Sequence, residues 1–199
     1  MLVQLDHENV DDHLVERRAI LITCVGLLLG GLELNHIEAQ ETGTDQKHLG
    51  KPGDFDFLAG KWKIQNRRRK PGVEEWDEFE GEATCWTVLG GVGSIEELRI
   101  PARDFSGIGI RLLDVQQKLW SDHWVNGKVG VLTTPGQTGV FVDGVGTFTA
   151  NWMDGDKQVK VKGVWDQITP QSCRWYQAVS NDDGATWEEN WVMQWQRIK

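Results

Sequence analysis

Turn-forming residues divide the chain after residue 53 into short runs of similar length. These residues, chiefly Gly, Pro, Asn and Asp, occur at 70–72, 89–93, 101–107, 114–117, 126–127, 135–136, 143–144, 154–156, 169–170 and 181–184. None of the runs between these clusters shows a sustained 3.6-residue hydrophobic period, which a helix would require. Turn-forming residues at this regular spacing indicate an all-β sandwich or barrel.

The runs themselves predict the strands. We expect strands at 61–68, 76–88, 94–100, 107–113, 118–125, 129–133, 138–142, 145–152, 158–168 and 172–197, the last one split by a turn at Asn181. The connections are short enough for antiparallel neighbours, and Asn126-Gly127 and Asp143-Gly144 are favoured two-residue hairpin pairs. An open meander would leave two unpaired edges, whereas closure removes them. The sequence therefore predicts an antiparallel up-and-down β-barrel of about 8 to 10 strands, whose interior is filled by side chains or holds a small ligand.

The N-terminal segment resembles a secretion signal. Residues 19–32 carry no charge and directly follow Arg17 and Arg18, and they are too few for a transmembrane span. Cleavage after Ala39 predicts a signal-like segment at 1–39, a linker at 40–53 and the barrel domain at 54–199. The protein is then exported to the periplasm or outside the cell, and otherwise it is cytoplasmic.

The residues before Arg17 do not fit a secretion signal, whose N-terminal region is positively charged. They include five acidic residues and no Lys or Arg. Translation from a start near Leu14 or Val15 would remove the disagreement. The alternative is a disordered or loosely helical N-terminal extension.

Charge and cysteine content limit the kinds of partner and cofactor that the chain is expected to bind. The whole chain has a net charge of −9, and residues 40–199 retain 19 basic and 23 acidic residues. Without a basic surface, binding to nucleic acid is not expected. Cys85 and Cys173 either pair in an oxidising compartment or remain buried thiols. The sequence contains no CxxC motif or Cys/His cluster, so neither a metal nor another cofactor is predicted.

Several motifs resemble those of a known family. They are Asp54-Phe-Asp-Phe-Leu-x-Gly-x-Trp62, Leu89-Gly-Gly91, Gly144-x-Gly-x-Phe148, Arg174-Trp175-x-Gln177 and the segment 180–193. Together they are similar to uncharacterised bacterial lipocalin-like proteins of the calycin superfamily, a domain of unknown function, over about residues 54–198. The resemblance implies a barrel with an internal cavity and supplies no substrate or catalytic residue. We expect Trp62 to plug the closed end, with the Arg197 guanidinium stacked over its ring.

The segment Ser180-x-Asp182-x-Gly184-x-Thr186-Trp187 matches the Asp-box pattern of β-propellers. A propeller would repeat it in every blade, and a single copy disfavours that fold. We expect a local role, in which Asp182 accepts backbone N–H bonds across a turn that needs Gly184 at positive φ.

Tryptophan is unusually abundant, with 11 residues against one tyrosine. Some of these rings must form the core, and others are expected to line a pocket. Strand alternation places Trp124 on one face with Asp122, and Trp175 on one face with Gln177. The predicted ligand-binding residues are Trp62, Arg111, Trp124, Trp165, Trp175, Gln177 and Trp191.

Three polar residues are weak candidates for catalysis. Glu97 and Arg111 are expected on adjacent strands as a buried pair, which either fixes the strand register or binds a polar ligand group. His123 is the only histidine of the barrel body and is either a proton-transfer group or a surface residue.

The sequence thus favours binding of a small hydrophobic or aromatic molecule by a monomer or weak homodimer. The alternatives are an enzyme of the cyclase, isomerase or decarboxylase type on the same barrel, and a filled structural or interaction module.

Overall fold

The computed structural model describes residues 49–70 and 74–198, and these form one antiparallel barrel. Its strands are β1 Gly60–Arg69, β2 Trp76–Val88, β3 Gly93–Ile100, β4 Phe105–Asp114, β5 Leu119–Asn126, β6 Gln137–Val142, β7 Val145–Asp154, β8 Lys157–Asp166, β9 Ser172–Ser180 and β10 Glu188–Arg197. Each strand pairs with its sequence neighbours, and β1 also pairs with β10. The predicted all-β, up-and-down barrel is confirmed, with ten strands.

Pairing between the first and last strands closes the barrel. Trp62 lies opposite Arg197 and Arg68 lies opposite Trp191, so the register runs along nearly the whole length of β1. Closure leaves neither terminal strand as an unpaired edge for another chain to extend.

One end of the barrel is closed by the residues that precede β1. A short 3-10 turn, Asp56–Leu58, brings Phe55 and Leu58 into the core, where they are 2% and 0% exposed. The Trp62 indole donates its N–H to the Leu58 carbonyl at 2.7 Å, and the Arg197 guanidinium lies 4.1 Å from the centre of the Trp62 ring. The predicted plug and its cation–π lid are both confirmed. We call this the closed end.

The two predicted hairpin pairs have different outcomes. Asp143-Gly144 joins β6 to β7 with both residues at positive φ, as a type I′ turn requires. Asn126-Gly127 instead begins a long connection to β6, because the Asn126 carbonyl accepts the N–H groups of Val129 and Gly130 and turns the chain away. The predicted strand at 129–133 is wrong, since only an isolated bridge from Leu132 to Val125 forms there.

The Asp-box segment forms the turn between β9 and β10. Asp182 accepts hydrogen bonds from the Thr186 backbone N–H and hydroxyl, at 2.9 and 2.6 Å. Those bonds lower the Asp182 pKa to about 2. Gly184 has a φ of +96°, and its carbonyl accepts the Trp187 indole N–H at 3.0 Å. The local role predicted for this motif is confirmed.

The signal-like segment at 1–39 lies outside the described residues, as does the predicted cleavage site. Within the described part of the 40–53 segment, the Gly50 N–H donates to the Lys118 carbonyl and the Gly53 N–H to the Gly91 carbonyl. Within residues 49–70 and 74–198, we find no helix with the length and apolar character to cross a bilayer.

Candidate ligand-binding interior

A row of five tryptophans runs along one side of the interior, from the closed end towards the other. Successive ring centres are 5.4–6.4 Å apart, in the order Trp62, Trp195, Trp165, Trp175 and Trp191. We call these residues the tryptophan row. Four of them are predicted ligand contacts, and Trp195 is not among those predicted.

Trp124 lies apart from this row, on β5. Its ring stacks on Phe105, with ring centres 6.4 Å apart and an angle of 15° between the ring planes. It also covers Gly107, where a Cβ atom would lie only 2.1 Å from the ring. A glycine at this inward position therefore lets the ring lie flat against the barrel wall.

A buried charged cluster lies on β3, β4 and β5, on the part of the wall that also carries Trp124. The Arg111 guanidinium donates from Nη2 to Glu96 at 2.6 Å and from Nε to Asp122 at 3.4 Å. The side chains of Arg111 and Glu96 are 5% and 4% exposed, and that of Asp122 is 18% exposed. We call these three residues the interior triad. It contains two carboxyl groups and one guanidinium.

Burial and the attraction between the opposite charges have opposite effects on the pKa values of the interior triad. Burial raises the pKa of Glu96 and of Asp122 above their ordinary values, although Arg111 opposes this. Burial lowers the Arg111 pKa, but Asp122 and Glu96 outweigh it, so the pKa lies above its ordinary value. The guanidinium is therefore always charged, and the carboxyl groups hold protons more tightly than carboxyls in water do.

The partner predicted for Arg111 is wrong by one residue. Glu97 lies on the outside of β3, where it accepts a hydrogen bond from Arg99 at 2.7 Å, and the inward residue is Glu96. Strand alternation contains the signal for this. Glu96 shares its face with Leu98 and Ile100, whereas Glu97 shares a more polar face with Arg99.

His123 lies on the outer face of β5, on the opposite side of the strand from Asp122 and Trp124. Its Nδ1 lies 3.1 Å from the Thr133 carbonyl oxygen. The imidazole is thus held by the β5–β6 connection and does not contact the interior triad, so it is not placed for proton transfer inside the barrel.

Several buried polar atoms of the interior have no hydrogen-bond partner in the described part of the chain. They are Asn66 Nδ2, Arg111 Nη1, Trp165 Nε1 and Trp195 Nε1. Each belongs to an inward-facing side chain that is no more than 4% exposed. Buried polar groups are almost always paired in folded proteins, so these four unpaired donors require an explanation.

The end opposite the plug is the more accessible one. Inward-facing side chains there are half-buried rather than buried, among them Arg68, Phe79, Phe105 and Trp124. Trp175 and Gln177 are also half-buried, and the Gln177 amide donates to Asn190 at 3.0 Å. We call this the open end. The predicted contacts Trp124, Trp175 and Gln177 are thus partly exposed to solvent.

The two cysteines of the barrel are buried free thiols. Burial raises the pKa of both groups, that of Cys173 to about 12. Of the two alternatives given by the sequence, the structure thus shows unpaired thiols, which are protonated and unreactive at neutral pH.

The sequence matches no family model and no curated protein. Similar solved structures include a protein of unknown function from the DUF3598 family of Nostoc punctiforme, with 11% identity and a TM-score of 0.42 over 79% of this chain and 53% of that one. The S-type phycobiliprotein lyase CPES from Guillardia theta has 9% identity and a TM-score of 0.44, over 73% of this chain and 90% of the lyase. Rv2717c from M. tuberculosis has 11% identity and a TM-score of 0.41, over 72% and 94%.

The chain spans about half the length of the first of these proteins. At these identities and TM-scores, the resemblance to lipocalin-like proteins stays a prediction.

Proposed function

We propose that the barrel binds a small hydrophobic or aromatic molecule, which enters at the open end and lies against the tryptophan row. The observation that carries the proposal is the partial exposure of inward-facing aromatic rings beyond the closed end. Trp62 at the closed end is fully buried, whereas Trp175 and Trp124 farther along are half-buried although both face inwards. An accessible interior lined by aromatic rings, with a few polar groups, is typical of small-molecule sites.

The predicted contacts divide into three groups under this proposal. Trp124, Trp175, Trp191 and Gln177 contact the ligand body, because they lie at or near the accessible part of the wall. Trp165 and Arg111 lie deeper and contact the end of the ligand that enters first. Trp62 holds the closed end together, since its N–H and its ring face are already occupied by Leu58 and Arg197.

Titration with the uncharged fluorescent probe N-phenyl-1-naphthylamine tests the proposal. We expect saturable enhancement of probe fluorescence with one site per chain. Trp175→Ala should weaken binding about tenfold, because the ligand loses one ring of the wall. Trp86→Ala is the matched control, since Trp86 lies on the outer face of β2 and is 47% exposed.

Urea unfolding of both variants shows whether the barrel is retained. Absence of saturable binding to the wild-type chain would exclude the proposal for ligands of this kind. An equal loss of affinity in the Trp86 variant would place the probe on the outer surface instead.

A second candidate, an enzyme of the cyclase, isomerase or decarboxylase type, is favoured by one observation. Glu96 and Asp122 are carboxyl groups in the interior whose pKa values burial raises, as general acids require. Asp122 is the accessible one of the two. Incubation of a small-molecule extract with wild type and with Asp122→Asn, followed by mass spectrometry, distinguishes the candidates. A compound consumed only by the wild type supports an enzyme, and one retained unchanged by both supports binding alone.

Export and a monomeric or weakly dimeric state remain predictions from the sequence. N-terminal sequencing of the protein from its own cells tests export, and an intact 1–39 segment on a cytosolic protein would exclude it. Sedimentation of the purified chain at several concentrations tests the oligomeric state.

A further inference from the structure

The unpaired polar atoms of the interior are all of one kind. Asn66 Nδ2, Arg111 Nη1, Trp165 Nε1 and Trp195 Nε1 are N–H donors, and no buried side-chain oxygen of the described residues lacks a partner. Leaving a buried donor unpaired costs free energy, whereas an acceptor oxygen placed against it removes that cost. The interior therefore complements a molecule that brings acceptors rather than donors.

Three of these donors belong to side chains that lie next to one another above the plug. The Arg111 guanidinium carbon is 5.1 Å from the centre of the Trp165 ring, and the Trp165 and Trp195 ring centres are 5.4 Å apart. Arg111 Nη1 is the one guanidinium nitrogen that neither Glu96 nor Asp122 engages. We call these three side chains the deep donor site.

The charge of the interior triad decides which acceptor suits this site. Arg111 already has two carboxyl partners, so a ligand carboxylate would be the third acidic group around a single buried guanidinium. Like charges at this separation repel strongly where little water screens them. An uncharged oxygen accepts from the same donors without that repulsion.

We propose that the deep donor site, formed by Arg111, Trp165 and Trp195, selects molecules that carry an uncharged carbonyl oxygen, such as ketones, aldehydes or amides, on an aromatic or apolar body. The inference rests on the proposed binding function and names its ligand class. The carbonyl enters first and accepts from Arg111 Nη1 and the Trp165 N–H, while the body lies against the tryptophan row.

Three naphthalene derivatives of similar size test the selectivity by equilibrium dialysis. The first, 2-acetylnaphthalene, offers an uncharged carbonyl oxygen. The second, 2-ethylnaphthalene, offers no acceptor, and the third, 2-naphthoate, offers a carboxylate. A ketone gives up a hydrogen bond to water on binding, so a barrel without a free donor binds the hydrocarbon more tightly. We expect the ketone to bind about tenfold more tightly than the hydrocarbon at neutral pH, and the carboxylate to bind most weakly.

Trp165→Phe removes one donor and keeps an aromatic ring in the row. It should weaken binding of the ketone about fivefold to tenfold more than binding of the hydrocarbon, because both ligands lose some ring contact but only the ketone loses a hydrogen bond. Trp86→Phe on the outer face is the control and should change neither. Trp165→Phe leaves the three charged side chains of the interior triad in place, so it is a better test than a substitution of Arg111.

The outcomes separate this inference from the proposed function. Tighter binding of the hydrocarbon than of the ketone, or of the carboxylate than of both, would overturn the carbonyl assignment and leave hydrophobic binding intact. Equal loss of ketone and hydrocarbon affinity in Trp165→Phe would also overturn it, since the ring rather than the donor would then matter. If none of the three compounds binds, the proposed function itself fails.

Discussion

Arg111 provides the positive charge that compensates the buried carboxyl groups of Glu96 and Asp122. Its replacement by methionine, which has a similar length, would leave Glu96 and Asp122 buried beside each other without a cation. We expect a loss of about 3–5 kcal/mol in the free energy of unfolding at pH 7. Without Arg111 the pKa values of both carboxyls rise further, so the native state binds more protons than the unfolded chain does. Stability of the variant therefore falls as the pH rises from 5 to 8.

Arg99 provides a matched control, because it bridges two glutamates in the same way on the outer surface. It contacts Glu82 and Glu97 at 2.9 and 2.7 Å and its side chain is 35% exposed. We expect Arg99→Met to cost about 1 kcal/mol or less, with no comparable dependence on pH. Urea unfolding of both variants at pH 5 and pH 8 measures the difference. Equal losses would contradict the burial argument.

The sequence predicts residue positions as far as strand alternation is known. Arg111 and Trp124 face inwards as predicted, although β4 does not alternate between apolar and polar residues, since Ile108 and Leu112 are 40% and 41% exposed on its outer face. Glu96 was missed because Glu96 and Glu97 are adjacent, and a one-residue shift exchanges the two faces of a strand. Which donors remain unpaired depends on side-chain geometry across several strands, which no local pattern contains.

At the scale of elements, the turn between β9 and β10 depends on the ionisation of Asp182. Its pKa of about 2 lies below the ordinary value of 3.8, so the carboxylate stabilises the turn above the unfolded pKa. That stabilisation is lost as the pH falls towards 2. We expect Asp182→Asn to be less stable than the wild type at pH 6, and the difference to disappear between about pH 4 and pH 2.

Amide hydrogen exchange at Gly184 and Thr186 locates this effect, because the Ser180 hydroxyl and the Asp182 carboxylate respectively accept those N–H groups. The Gly144 amide, in the β6–β7 turn, is an internal control that the substitution should not change. A difference between variant and wild type that persists undiminished at pH 2 would contradict the assignment.

Strand bounds were predicted well where turn-forming residues flank the strand on both sides. They were predicted poorly in the long connection between β5 and β6. β2 begins and ends where the sequence places it, and the Asp143-Gly144 turn sets the register of β6 against β7. The run 129–133 has the composition of a strand, but it follows a turn in which Asn126 accepts two backbone N–H groups. Hydrogen bonding in that turn, rather than β-propensity, decides its conformation.

At the scale of the whole molecule, closure depends on contacts between the two ends of the barrel domain. Arg197, at the end of β10, donates to the carbonyl oxygens of Phe57, Ala59 and Pro170 and stacks on Trp62. It therefore joins the plug, β1 and the β8–β9 connection at one point. The short motifs at the two ends of the sequence indicated this contact, although they are more than a hundred residues apart in the chain.

Arg197→Lys tests how much this junction contributes, because lysine keeps the charge and loses the planar fork of donors. A single ammonium cannot reach all three carbonyl oxygens, so we expect a loss of about 2 kcal/mol in the free energy of unfolding. Arg67→Lys is the control, since Arg67 forms an exposed pair with Glu78 and should change stability by less than about 0.5 kcal/mol. The urea midpoint should fall in Arg197→Lys while the slope of the transition stays constant, because the whole barrel still unfolds in one step. A shallower slope would mean instead that the closed end opens separately from the strands.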